Sequence, residues 1–193
     1  GPLHKEVSRE AETTLLEAQN WWALASSLGA QYPEEALRRA WLTLVRMYKH
    51  DGIEGSSADF VRGGVVTGIA RWLRRKALEK IASQVDASKA KGLPVVVFNS
   101  LSWPVRNVVE VPSPEGQGLR SAVDLSTGEA VPVQTCGDKA LFMAEIPSFG
   151  YKVYDLGPER AEAKRKAWAE GHAIGNEFVR VEFHGDALEI VDQ

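Results

Sequence analysis

The chain has 193 residues, of which 23 are basic and 26 acidic, so its formal net charge is −3. Hydrophobic residues make up 44% and charged residues 25%, which is typical of a folded globular protein and excludes overall disorder. The charge balance argues against binding nucleic acid through a globally basic surface. No apolar run approaches the roughly 18 residues of a membrane span. The single cysteine, Cys136, cannot form an internal disulfide, so we expect a reducing, cytoplasmic compartment.

Residues 3–86 are predicted to form an antiparallel three-helix bundle. The first helix covers about residues 5–28 and stops at Gly29. The second begins near Pro33 and ends near residues 50–52, and the third begins after Ser56-Ser57. Apolar residues recur at steps of three or four along each helix. In the first helix they are Val7, Ala11, Leu15, Ala18, Trp22, Ala25 and Leu28, and in the second Leu37, Trp41, Leu44 and Tyr48. In the third they are Val61, Val65, Ile69, Trp72 or Leu73, and Ile81.

After a linker at 86–92, the hydrophobic period changes to that of short strands. Residues 93–156 predict a small antiparallel β-sandwich, with strands at 95–98, 107–111, 130–135, 140–146 and 151–156. The charged, alanine-rich region 157–174 is predicted to be a linker or a short helix. The predicted fold class is therefore α+β.

Residues 175–193 are predicted to be the first strands of a second β-sandwich that is truncated at its C-terminus. A strand at 178–183, a turn at 184–186 and a strand at 187–191 have the pattern of a hairpin. A lone hairpin is marginal in water, so we expect it to dock on the sandwich, fray or pair with a second copy in a homo-oligomer. Gly1-Pro2 resembles the residues left by tag removal and is excluded from the fold prediction.

His50 and Asp51 form the most informative pair, at the end of the second helix and before a loop with Gly52 and Gly55. Imidazole nitrogen and carboxylate oxygen are zinc ligand types. A histidine at a helix C-terminus followed by an Asp-Gly turn is also an ordinary structural feature. The other histidines, at 4, 172 and 184, make no metal-binding spacing with His50, so both interpretations remain open at this point.

Four segments of the chain resemble, in order, motifs of glycoside hydrolase family 38, the α-mannosidases. The first joins Ala40-Trp41 to the run His50-Asp51-Gly52-Ile53-Glu54-Gly55-Ser56-Ser57. The second is Val96-Val97-Phe98-Asn99-Ser100-Leu101-Ser102-Trp103 with Val108-Val109-Glu110-Val111-Pro112. The third is Ile146-Pro147-Ser148-Phe149-Gly150-Tyr151, and the fourth is Gly175-Asn176-Glu177-Phe178-Val179-Arg180-Val181-Glu182-Phe183.

The resemblance implies a fragment that contains the middle helical domain and the first β-rich part of a zinc-dependent retaining α-mannosidase. It implies that His50 is a zinc ligand and that Asp51 contacts the hydroxyls of an α-mannoside or oligosaccharide substrate. The remaining zinc ligands, a His-x-Asp pair and an Asp that is also the nucleophile, are implied to come from the protein's own N-terminal catalytic domain. The fragment itself is then inactive. The alternative is a non-catalytic helical-bundle and β-sandwich module for assembly or carbohydrate binding.

Other conspicuous residues are predicted to carry no chemistry. Trp21, Trp22 and Trp72 have the helical spacing of core or interdomain packing rather than of sugar-stacking platforms. A basic strip on the third helix is interpreted as a solvated face or a domain contact rather than a nucleic-acid site. It consists of Arg71, Arg74, Arg75, Lys76 and Lys80. Cys136 has no neighbouring helix start or base and is not predicted to be a catalytic thiol.

Overall fold

The computed structural model describes residues 2–48, 59–113, 118–161 and 167–192, and the side chains of these residues except 2–4 and 59–63. The chain divides into two compact units, Gly1–Ala87 and Ser88–Gln193. The first unit is helical and the second consists of antiparallel sheets. The α+β class predicted from the sequence is therefore confirmed.

The first unit contains α1 (Pro2–Ser27), α2 (Glu34–Met47) and α3 (Asp59–Ala82). α1 ends because Gly29 adopts a positive φ of 94° and the Ala30 amide donates to the Ala25 carbonyl at 3.0 Å, as in a Schellman cap. α2 begins directly after Pro33, and its first turn carries Glu34 and Glu35, whose charges suit the positive end of the helix dipole. No helix in these described ranges is long and apolar enough to cross a membrane.

The predicted apolar faces of α1 and α2 largely form the core of the bundle. The residues buried from these two helices are Ala11, Leu15, Ala18, Trp21, Trp22, Ala25, Leu37, Ala40, Leu44 and Met47. Leu28 and Tyr48 were also expected on these faces, but both are exposed. Each lies just beyond its helix, where the chain no longer follows the helical period.

The predicted face of α3 is confirmed at Leu73 and Ile81 but wrong by one residue at Val65 and Ile69. Val65, Ile69 and Trp72 are 54%, 39% and 48% exposed, and the helix instead buries Val66, Ala70, Leu73, Ala77 and Ile81. The two alanines are small, which lets α3 pack closely along α1. The Trp22 indole supports this arrangement, because its Nε1 donates to the Leu73 carbonyl at 2.9 Å. The side chain of Val61 lies outside the described residues.

The second unit begins with β1 (Leu93–Asn99), β2 (Val105–Pro112), β3 (Ser121–Asp124), β4 (Ala130–Cys136), β5 (Lys139–Ile146) and β6 (Gly150–Gly157). They form one antiparallel sheet in the order β1-β6-β3-β4-β5-β2. β3 was not predicted, because its four residues include only one strong strand former, Val123. The division into two facing layers of a sandwich stays a prediction.

The core of this sheet comes from alternate residues of β5, together with residues of β3, of β6 and of the segment before β3. β5 buries Ala140, Phe142, Ala144 and Ile146, which pack with Leu119, Ala122, Tyr154 and Leu156. The Phe142 and Tyr154 ring centroids are 5.1 Å apart, although two strands separate β5 from β6 in the sheet order. The sheet must therefore curve over its own core.

A second, four-stranded sheet contains β7 (Trp168–Glu170), β8 (Ala173–Gly175), β9 (Val179–His184) and β10 (Ala187–Asp192), in the order β10-β9-β8-β7. The predicted β9–β10 hairpin is confirmed. The prediction of a linker or short helix at 157–174 is wrong where β7 and β8 form, since strand pairing here overrides the helical preference of the alanine-rich sequence. Residues 162–166 lie outside the described part.

The two faces of this second sheet differ in character. The cross-strand register places Ile174, Val181, Phe183, Leu188 and Ile190 on one face. All of them except Val181 are exposed large hydrophobic residues. The opposite face carries Arg180, Glu182, His184 and Glu189. The described structure thus leaves one apolar sheet face open.

Candidate functional site

The two site residues predicted from the sequence, His50 and Asp51, lie outside the described residues, as does the whole of 49–58. The zinc and sugar roles of this pair therefore stay predictions. In the sequence they follow α2, whose last residue is Met47 and whose C-terminal cap is Tyr48.

Tyr48 lies beside a small cleft between α1 and the end of α2. The cleft has a volume of about 380 Å³ and is lined by Lys5, Ser8, Arg9, Glu12 and Tyr48. The Tyr48 hydroxyl donates to Glu12 Oε2 at 2.8 Å. Burial, followed by this hydrogen bond and the charge of Glu12, raises the pKa of Tyr48 to about 12, against a smaller opposing effect of Arg9. Tyr48 is therefore a neutral hydrogen-bond donor near neutral pH, and it ties the end of α2 to α1.

Sequence reasoning did not find the Tyr48–Glu12 pair. The two residues are 36 positions apart, and the sequence placed Tyr48 on the apolar face of its helix. A tyrosine counts as apolar in a periodicity argument, and only the packing of α1 against α2 shows that its hydroxyl has a carboxylate partner.

Two of the segments that carry the family resemblance meet in the structure. β1 pairs with β6, which sets Phe98 opposite Tyr151 and Asn99 opposite Gly150. The buried Asn99 side chain then joins the loops that follow β1 and precede β6. Its Nδ2 donates to the carbonyls of Trp103 and Pro147, both at 2.8 Å, and its Oδ1 accepts from the Leu101 amide at 3.0 Å. These motif residues therefore have a structural role.

The fourth resembling segment also has a structural reason. Asn176 Oδ1 accepts from the amides of Phe178 and Val179 at 2.8 and 2.9 Å, which closes the turn between β8 and β9. Gly175 lies against the Trp168 ring, where a Cβ atom would lie only 2.6 Å from Trp168 Cζ2. The turn therefore requires Asn176, and the packing against the Trp168 ring requires Gly175.

A charge pair between the buried Asp124 and the half-buried Lys152 connects β3 to β6. Lys152 Nζ lies 2.5 Å from Asp124 Oδ2, and Ser126 donates to Asp124 Oδ1 through both its amide and its hydroxyl, at 2.8 and 2.6 Å. Burial by itself raises the pKa of the Asp124 carboxyl. The hydrogen bonds from Lys152 and Ser126 outweigh this effect, so the pKa of Asp124 is lowered in the folded protein.

The tryptophan prediction is confirmed for Trp21 and Trp22, which are buried in the bundle. It is wrong for Trp72 as a core residue, because that side chain is exposed on α3. Packing of Trp72 against another domain stays a prediction.

The basic strip of α3 carries ion pairs that are exposed at Arg71 and Lys76 and partly buried at Arg74, which agrees with the predicted solvated face for the first two. Arg71 Nε donates to Glu10 at 2.9 Å, Arg74 pairs with Glu17 at 2.5 Å, and Lys76 pairs with Glu79 at 2.7 Å. Cys136 is exposed at the end of β4.

The structure also brings together a group that the sequence analysis did not recognise. Glu182, His184 and Glu189 each place a potential metal-ligating atom within 4.8 Å of those of the other two. His184 was predicted to be an ordinary turn residue. The pairing of β9 with β10 places Glu189 opposite Glu182. The spacing of the histidines along the sequence does not predict this contact.

No protein-family model matches the chain, and no curated protein sequence matches it. Among solved structures, an alpha-mannosidase from Enterococcus faecalis V583 has a similar fold, with a TM-score of 0.62 and 20% sequence identity. The match covers 96% of this chain and 28% of that one. A protein in the glycosyl hydrolase family 38 from Enterococcus faecalis matches with a TM-score of 0.61 and 20% identity, over 96% of this chain and 29% of that one.

These similarities confirm, at the level of the fold, the resemblance that the sequence motifs indicated. The chain spans less than a third of the length of either structure that it matches. The agreement therefore concerns the fold of one part of each of those structures.

Proposed function

We propose that this chain is a non-catalytic portion of a zinc-dependent retaining α-mannosidase of glycoside hydrolase family 38. The observation that carries the proposal is the agreement of two independent signals. Four motifs occur along the chain in the family's order, and 96% of the chain shares the fold of an alpha-mannosidase and of a family 38 protein. In this proposal, the whole enzyme hydrolyses terminal α-mannosides, and the chain completes an active site that an N-terminal catalytic domain largely forms.

His50 is proposed to supply one zinc ligand through a neutral imidazole nitrogen. Zinc needs three or four protein ligands, and the proposal assigns the others to the catalytic domain. When bound, zinc supplies a Lewis acid and a template for adjacent sugar hydroxyls. The hydrogen bond of Tyr48 to Glu12 supports this role, because it fixes the end of the helix that precedes His50.

Asp51 is proposed to accept hydrogen bonds from mannose hydroxyls. A carboxylate only accepts hydrogen bonds when it is ionised, and bonds to a charged acceptor are stronger than those between neutral groups. Asp51 therefore contributes to substrate binding, whereas His50 contributes to metal retention. Zinc content and substrate binding can therefore be measured separately to test the two roles.

A second candidate function is a module for assembly or carbohydrate binding without any part in catalysis. The open apolar face of the second sheet favours assembly, because exposed apolar patches of this kind mark interaction surfaces. This candidate requires neither His50 nor zinc.

The decisive experiment uses the full-length protein with the variants His50→Ala and Asp51→Asn, and with His172→Ala as the matched control. Zinc content is measured by elemental analysis and turnover with p-nitrophenyl α-mannoside. We expect His50→Ala to lose turnover and one equivalent of zinc per chain relative to the unaltered enzyme. Asp51→Asn should retain zinc but bind the substrate more weakly, and His172→Ala should match the unaltered enzyme. Full zinc and near-normal turnover in His50→Ala would refute the zinc role and favour the assembly module.

A further inference from the structure

The polar face of the second sheet carries three metal-ligating side chains at one place. Glu182 and His184 are two residues apart on β9, so their side chains share a face of the sheet. Glu189 lies directly opposite Glu182 on β10. Three ligand-type side chains thus converge from two strands whose relative position is fixed by backbone pairing.

Two of the three separations between the ligand atoms fit a tetrahedral metal ion. His184 Nε2 lies 3.2 Å from Glu182 Oε2 and 3.4 Å from Glu189 Oε2. Zinc binds imidazole nitrogen and carboxylate oxygen at about 2.0–2.2 Å, and tetrahedral geometry then separates neighbouring ligand atoms by about 3.3–3.5 Å. The two separations in the protein are close to this length, and the third lies within 4.8 Å.

The negative charges of Glu182 and Glu189 also favour the binding of a cation. Two carboxylates directly opposite each other on neighbouring strands repel and destabilise the pair. Arg180 pairs with Oε1 of Glu182, and its guanidinium lies 5.8 Å from the centroid of the Trp168 ring. Arg180 thereby orients the Glu182 carboxylate and leaves its Oε2 directed at the imidazole. The space between the His184 and Glu189 side chains can still accept a positive charge.

We propose that Glu182, His184 and Glu189 bind a divalent transition-metal ion of the zinc class. Each residue supplies one ligand, and water takes the fourth position, since the His184 and Glu189 side chains are 56% and 62% exposed. The mixed nitrogen and oxygen ligands favour zinc, nickel or copper over magnesium or calcium. The bound ion crosslinks β9 to β10. This site is separate from the proposed His50 site and does not depend on it.

The test is a titration of the 193-residue chain with zinc chloride. Nitrogen-15 NMR of the histidine side chains reports which imidazole binds, and calorimetry gives the affinity. We expect one zinc ion per chain and a shift of the His184 Nε2 signal, while His172 is unaffected. Zinc should also slow amide hydrogen exchange in β9 and β10, because a ligand that binds the folded state stabilises it.

The variants His184→Gln and Glu189→Gln each remove one ligand and should weaken zinc binding at least tenfold, since losing even an outer-shell partner costs about 10–100-fold. Matched controls from the same sheet region are His172→Gln and Glu170→Gln, which should bind zinc as the unaltered chain does. His50→Ala should also leave this binding unchanged, which separates the site from the proposed function. An unmoved His184 signal at millimolar zinc, or unchanged affinity in either ligand variant, would overturn the proposal.

Discussion

Asn99 offers a sharp test of how the first sheet is held together. Its buried side chain makes three hydrogen bonds, to the Trp103 and Pro147 carbonyls and from the Leu101 amide. Asn99→Ala removes all three and leaves three backbone groups without this partner. At about 1 kcal/mol for each net hydrogen bond, the expected loss is about 3 kcal/mol. That loss corresponds to a change of about 100-fold in an opening equilibrium.

Hydrogen exchange followed by mass spectrometry suits this test, because it measures each unit of a two-unit chain separately. Amides of β1 and β6 should exchange about 100-fold faster in Asn99→Ala, whereas amides of the helices should not change. Asn99→Asp should be at least as damaging, because a carboxylate oxygen then faces two carbonyl oxygens.

Asn107→Ala is the matched control for this substitution. Asn107 is exposed on β2, and its Oδ1 accepts from the adjacent Val108 amide at 2.8 Å. Its replacement should change the free energy of opening by less than about 0.5 kcal/mol. If Asn99→Ala leaves β1 and β6 as protected as Asn107→Ala does, the loops are held by packing and the hydrogen-bond argument is refuted.

Three further predictions concern acid stability, close packing and metal removal. Because the pKa of Asp124 is lowered on folding, its stabilising effect is complete above the unfolded pKa of about 4 and is lost as pH falls through the folded value. Urea unfolding of the sheet unit should thus become easier below about pH 4, and an equal acid dependence in Asp124→Asn would contradict this. Gly175→Ala places a Cβ 2.6 Å from the Trp168 ring and should speed exchange in β7 and β8. Gly157→Ala, where a Cβ meets nothing within 4 Å, should not change protection there. A chelator should leave the helical circular dichroism and melting temperature of the bundle unchanged, since apolar packing holds it together; a drop of several degrees that zinc reverses would contradict this.

Helical and strand periods were readable from the sequence where one face is strongly apolar and the other polar. α1 illustrates this, because the positions that its period selects, Ala11, Leu15, Ala18, Trp22 and Ala25, are all buried. The face of α3 was predicted only in part, because two neighbouring rows of this helix are both apolar. The row of Val65, Ile69 and Trp72 has larger side chains, but the row with Ala70 and Ala77 packs more closely. Periodicity weighs hydrophobicity, whereas helix packing also depends on size.

The strands that were missed depend on pairing over long distances. β3 is recruited between β6 and β4, and its four residues carry little signal of their own. The same holds for β7 and β8, which pair with each other and with β9. The site shows the same limit. The family motif singled out His50 and Asp51, whereas the His184 cluster depends on a cross-strand register that spacing along one strand does not contain.

The position of β1 beside β6 has a consequence for how the chain folds. The amide of Gly92 bonds to Asp155, 63 residues later, and Asn99 bonds to Pro147, 48 residues later. Contacts this distant in sequence form slowly, because a long loop must close before they contribute free energy. During synthesis, the helical unit can pack as soon as α3 has emerged, whereas β1 must wait until β6 has been made. The order of events on the ribosome is therefore expected to be bundle first and sheet second, with β1 as a solvent-exposed strand in the interval.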